Sequence, residues 1–205
     1  MAPVTYGATD AHPCRCAVAL GASAGGVQAL RVVVAALPKD LPAAVLIVLH
    51  LDPRARSLLP ALLRAVSAVP VRDVRDESQV EAGRIYVGVP DRHLFVADGR
   101  IRLGLSAPLH HVRPSVDALF ESVALGWSRA AVGVILTGSG SDGASGLTAI
   151  KARGGSTIVQ DPGDAEFPGM PRAAIATGLA DMILPLDAIG PAIVRLAAGM
   201  AAQAA

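Results

Sequence analysis

A length of 205 residues with a formal net charge of +1 suits one large domain and gives no electrostatic case for binding nucleic acid. Hydrophobic residues make up 52% and aromatic residues 3%, so the core must be aliphatic, built from Val, Leu, Ile and Ala. No apolar run approaches the roughly 18 residues of a membrane span, and no basic-then-apolar leader opens the chain, which points to the cytoplasm.

Residues 1–14 read as a loose polar arm. Cys14 and Cys16 follow each other on one extended segment. With no second cysteine pair and no His-x-x-x-His, they make no metal site and read as free thiols. Sixteen of the 18 basic residues are arginine, scattered rather than clustered. From there, short β-type runs alternate with amphipathic segments. Strands are predicted at 17–20, 44–49, 71–74, 132–136, 156–160 and 181–184. Helices are predicted at 27–36, 57–66, 115–127, 142–153, 171–177 and 186–197, with an Ala-rich tail over 199–205. Three further β runs, 84–89, 94–97 and 100–105, interrupt the alternation, and Asp98-Gly99 joins the last two as a hairpin turn. The expectation is a single α/β domain over 1–205: three layers around a largely parallel, doubly wound sheet, with an antiparallel hairpin extension at one edge.

The chemistry gathers where strands end, as it should in an open α/β sheet. Gly21-Ala22-Ser23-Ala24-Gly25-Gly26 follows the first strand and opens a helix, the form of a nucleophile elbow. The same glycines also suit a phosphate-binding turn. His50 ends the second strand. The strand at 132–136 runs into Thr137-Gly138-Ser139-Gly140-Ser141-Asp142-Gly143. If these strands are neighbours, Ser23, His50 and Asp142 meet as nucleophile, base and orienting acid for acyl transfer, and the glycine turns offer N–H groups to an oxyanion. Each residue alone has a plainer role: a turn serine, a structural histidine, an aspartate capping the helix behind it.

Gly138-Ser139-Gly140-Ser141-Asp142-Gly143 is also formally G-x-G-x-x-G, with Asp161 about twenty residues on, as in a dinucleotide site. Asp142 argues against it, because it puts a negative charge where a pyrophosphate would sit. The ordinary α/β-hydrolase fold fits poorly too, since its order is serine, acid, histidine and its elbow comes later in the chain.

The Gly21–Gly26 turn, the strand ending in His50 and Leu136 to Gly143 together resemble the catalytic domain of the bacterial chemotaxis protein-glutamate methylesterase family. Gly83-Arg84-Ile85-Tyr86-Val87, Pro90, His93, Arg113-Pro114-Ser115-Val116-Asp117, Leu119-Phe120, Gln160-Asp161 and Gly169-Met170-Pro171-Arg172 extend the match, in order, over residues 16–198. The resemblance implies a Ser23–His50–Asp142 triad, with Ala24, Gly138, Ser139, Gly140 and Met170 around the oxyanion. No cofactor or metal is implied. The implied activity is hydrolysis of glutamate γ-methyl esters, and deamidation of glutamines, on methyl-accepting chemoreceptor helices. An adaptor that docks on the same partners without catalysis is the alternative reading. Ala24 stands where the family usually has Thr, Ser139 where it has Met, and Leu49 where a Gln commonly precedes the histidine. Only about fifteen residues precede the first strand, too few for the family's receiver domain, so regulation by a partner in trans is expected.

Overall fold

The computed structural model describes residues 14–50, 57–107 and 112–203. The runs Ala17–Ala22 (β1), Ala44–Leu49 (β2) and Ala131–Ile135 (β7) are buried along their whole lengths, as a parallel sheet covered on both faces requires. With β3 (Val71–Asp73), β4 (Arg84–Val87), β8 (Ser156–Gln160) and β9 (Met182–Leu184) they form one seven-stranded sheet. Its order is β3-β4-β2-β1-β7-β8-β9, and every pairing is parallel. The chain steps from β1 to β2 on one side and later returns to place β7 on the other. The carboxyl ends of β2, β1 and β7 therefore flank a topological switch point, where open α/β sheets place their ligands.

Strand alternation separates two cores. Val18, Leu20, Val45 and Ile47 face α1 (Gly26–Ala35), α2 (Leu59–Arg64) and α6 (Leu186–Gln203). Ala17, Ala19, Leu46 and Val48 face α3 (Val116–Trp127), α4 (Ala144–Ala152) and α5 (Gly169–Ala176). The second face of β1 carries only small residues, which lets the start of α3 press onto the sheet: a Cβ at Gly21 would overlap the Val116 side chain. Helix α2 is shorter than the 57–66 read from sequence. Ser57 Oγ accepts a hydrogen bond from Leu59 N, and Pro60 sits in the first turn.

The hairpin is present as β5 (His93–Ala97) and β6 (Arg100–Gly104), turning at Asp98-Gly99 with positive φ at both residues. It stands as its own two-stranded sheet rather than extending an edge of the larger one. Helix α3 takes it up: Val96 N donates to Ser122 Oγ at 3.1 Å, and Leu94, Val96 and Ile101 join the α3 core. The run at 84–89, grouped with the hairpin on sequence, is instead an interior parallel strand beside β2. Both ends also differ from expectation. Cys14 is fully buried, its carbonyl accepting from Trp127 Nε1 at 2.7 Å; the rest of the 1–14 arm lies outside the described residues. Helix α6 continues to Gln203 because Ala197 packs in the core and Cys16 Sγ meets Met200 Sδ at 3.5 Å. Among the described residues no helix is long and apolar enough to cross a membrane.

Candidate active site

Ser23 is held by backbone at the end of β1. Its N–H donates to Thr137 O at 3.0 Å, and its carbonyl accepts from Gly26 N at 2.8 Å. Gly25 caps α1 with φ of 72°, a left-handed conformation that glycine adopts without strain. The chain thus turns from strand to helix within three residues, leaving Ser23 just beyond the carboxyl end of the central strand. His50 is anchored alongside, since its N–H donates to Ala22 O at 3.1 Å. Ser23 and His50 line one cavity of about 300 Å³. No hydrogen bond joins their side chains.

Asp142 closes the arrangement from β7. Its Oδ2 lies 2.8 Å from His50 Nε2, and the carboxylate is buried. Asp142 does not cap α4, which follows it; Gly143 holds that place. The carboxylate turns to the N-terminus of α3, where Val116 N (2.6 Å), Asp117 N (3.1 Å) and Ser115 Oγ (2.9 Å) donate to it. Burial alone would raise its pKa. The hydrogen bonds from His50, Val116 and Asp117 and the His50 charge outweigh that, holding the carboxyl below the usual value. An ionised carboxylate only accepts, so His50 Nε2 carries a proton, and in the neutral imidazole the lone pair then falls on Nδ1.

Residues outside the sequence-based list complete the support. Asp117 Oδ1 accepts Gly143 N at 2.9 Å and Gly146 N at 2.7 Å, fixing the start of α4. His93 Nδ1 accepts Ser115 N at 3.2 Å, while Nε2 faces Ala107 O at 3.2 Å. The Pro-Ser-x-Asp run before α3 was the available signal for Ser115 and Asp117. Nothing local pointed to Glu166, which lines the cavity from the β8–α5 connection.

The remaining expected site residues divide by position. Ala24 follows Ser23, and Ser139 and Gly140 are exposed on the loop after β7. Gly138 and Met170 are buried. Gly138 N–H is committed to Phe167 O at 2.8 Å, which removes Gly138 as an oxyanion donor. Its role is spatial: a Cβ there would come within 2.8 Å of Ser23 Cβ and overlap Met170 Sδ. Thr137 ties the loops together, donating from Oγ1 to Ala24 O (3.1 Å) or Phe167 O (3.3 Å) and accepting from Phe167 N. Cys14 and Cys16 are free thiols.

Residues 18–193 match the CheB methylesterase family. The chain belongs to that family. The CheB methylesterase catalytic domain of Thermotoga maritima superposes with a TM-score of 0.84 at 32% identity, covering 88% of this chain and 98% of the other. Curated relatives are similar over the same span. A protein-glutamate methylesterase/protein-glutamine glutaminase of Symbiobacterium thermophilum is 43% identical over 179 residues, 87% of this chain and 49% of its own. One from Pyrococcus abyssi is 39% identical over 187 residues, 89% of this chain and 51% of its own. The chain thus spans about half the length of these relatives.

Proposed function

We propose that this chain is a cytoplasmic serine carboxylesterase that hydrolyses glutamate γ-methyl esters on chemoreceptor helices, releasing methanol, and deamidates glutamines at the same site. The observation that supports it most is the part-buried Asp142–His50 hydrogen bond, with His50 lining the same cavity as Ser23 at the switch point, in a chain of the CheB methylesterase family. The names of the curated relatives point to the same two substrates.

The chemistry follows from the proton positions. Asp142 fixes the Nε2–H tautomer, so His50 Nδ1 takes the Ser23 hydroxyl proton as Oγ attacks the γ-carbonyl carbon. The oxyanion that forms needs donors not already committed. The N–H groups of Ala24 and Ser139 donate to no partner among the described residues, and each such donor is worth about 3–4 kcal/mol of transition-state stabilisation. Collapse breaks the C–O bond to methoxide, which leaves as methanol with the proton from His50. Water then attacks the γ-glutamyl ester on Ser23, delivering its proton to His50. Collapse returns the His50 proton to Ser23 Oγ and frees the glutamic acid, whose own proton passes to water to leave the carboxylate. With glutamine, the leaving group is ammonia. Ala24 and Ser139 supply backbone only, so the side chains usual in the family at those positions are not needed for this step.

A fluorophosphonate probe tests the nucleophile. It is expected to form one covalent adduct, mapped to Ser23, and none on Ser23→Ala. Equal labelling of both proteins would overturn the assignment.

A further inference from the structure

The cavity that holds Ser23 and His50 is lined otherwise by glycine, apolar and amide groups, with one exception, Glu166. Glu166 folds over the elbow: its Oε2 stands 2.7 Å from where a Cβ on Gly25 would lie. It is solvent-exposed, and neither a hydrogen bond nor an ion pair neutralises it among the described residues. Helix α1 has no acidic residue in its first turn, so this carboxylate is the negative charge beside that N-terminus, a position the helix dipole favours.

The proposed reaction changes the charge of the group in this cavity. The ester and the amide are neutral, whereas the product is a γ-carboxylate. We infer that Glu166 is a specificity-determining residue, a fixed negative charge that admits neutral or cationic acyl groups and disfavours anionic ones, including the acid the reaction makes. This rests on Ser23 being the nucleophile. Two carboxylates at cavity distances, one exposed to water, repel by about three- to tenfold in binding or reactivity. The consequence is release of the demethylated product and discrimination against esters flanked by acidic residues.

The test uses three fluorophosphonates with the same reactive phosphorus and tails ending in ammonium, hydroxyl or carboxylate. Second-order inactivation rates are measured, and the ammonium-to-carboxylate ratio is taken within each protein, so that any general loss of reactivity cancels. Wild type is expected to give a ratio of about three to ten at low ionic strength, falling toward one in about 1 M salt, where the screening length is ~3 Å. Glu166→Gln is expected to bring the ratio near one without salt, and Glu166→Lys to invert it. A wild-type ratio near one, or a ratio unchanged in both variants, overturns the charge filter while leaving Ser23 as nucleophile. Failure of all three probes to label wild type overturns the nucleophile reading and the filter with it.

Discussion

Asp117 and Asp142 exchange carboxylates between two helices. Asp142 immediately precedes the cap of α4 yet accepts from the first turn of α3, and Asp117, inside α3, accepts Gly143 N and Gly146 N of α4. Each helix N-terminus is thereby satisfied by the other's acid, a favourable placement of negative charge. The clamp fixes the acid that orients His50. It makes the geometry of the site depend on how α3 and α4 dock.

Removing the charge at Asp142 should therefore cost stability as well as activity. Asp142→Asn replaces an all-accepting group with one whose amide N–H faces other donors, a loss of about 2–4 kcal/mol at neutral pH. The sign with pH follows from the lowered pKa of Asp142. Its stabilising contribution is complete above the ordinary aspartate value of 3.8, and it fades as pH falls through the lower folded-state value. Urea unfolding of wild type and variant should differ most above pH ~4 and converge in stronger acid.

Ser115 and Asp117 act through Asp142 and should be positioning residues. Ser115→Ala deletes a hydrogen bond to Asp142 Oδ1 and the side-chain cap of α3, lowering stability by about 1 kcal/mol. Loss of orientation should lower kcat on the order of tenfold with KM nearly unchanged. Ser115→Thr, which keeps the hydroxyl, should restore much of it. A fall in KM-dependent binding alone, without kcat, would count against this role.

Gly138→Ala tests the packing beneath Ser23. The added methyl meets Ser23 Cβ and Met170 Sδ, and overpacking of this kind costs about 1–3 kcal/mol. A fall in Tm of about 2–4 °C for each kcal/mol is expected for a chain of this size, with loss of fluorophosphonate labelling as Ser23 is displaced. Gly140→Ala, where no atom lies within 4 Å of the added Cβ, should leave Met170 and Ser23 in place and cost only the strain of its positive φ.

The two thiols should be silent in the folded protein. Burial raises both, and Cys16 is pushed up to about 12 by burial and by Cys14 beside it. Thiolate is the reactive form. Iodoacetamide at pH 8 should modify neither cysteine in native protein and both in urea, and the alkylation rate then reports unfolding.

How much of this was legible in sequence depended on whether the cause was local. The strand at 44–49 was read with correct bounds because a buried parallel strand is a continuous apolar run, and so was that at 156–160, where β-branched Thr157, Ile158 and Val159 follow the Gly154-Gly155 break. Ser23, His50 and the 137–143 turn could be placed together because strand ends collect function. The hairpin was recognisable from Asp98-Gly99, but not its docking, which depends on Ser122 on a helix 26 positions away from Val96. The same holds for the C-terminal turns of α6, whose Ala-rich sequence is silent until Met200 meets Cys16. In the site, the aim of Asp142 at α3 and the reach of Glu166 over Gly25 are long-range contacts that no spacing rule encodes.

The most direct measurement is methanol release from methylated chemoreceptor by wild type and by Ser23→Ala, followed with the receptor carrying isotopically labelled methyl groups. Wild type should release labelled methanol and leave free glutamate side chains. Ser23→Ala, folded by the same unfolding assay, should release methanol at least on the order of a thousandfold more slowly. Release at comparable rates from the two proteins would contradict the account.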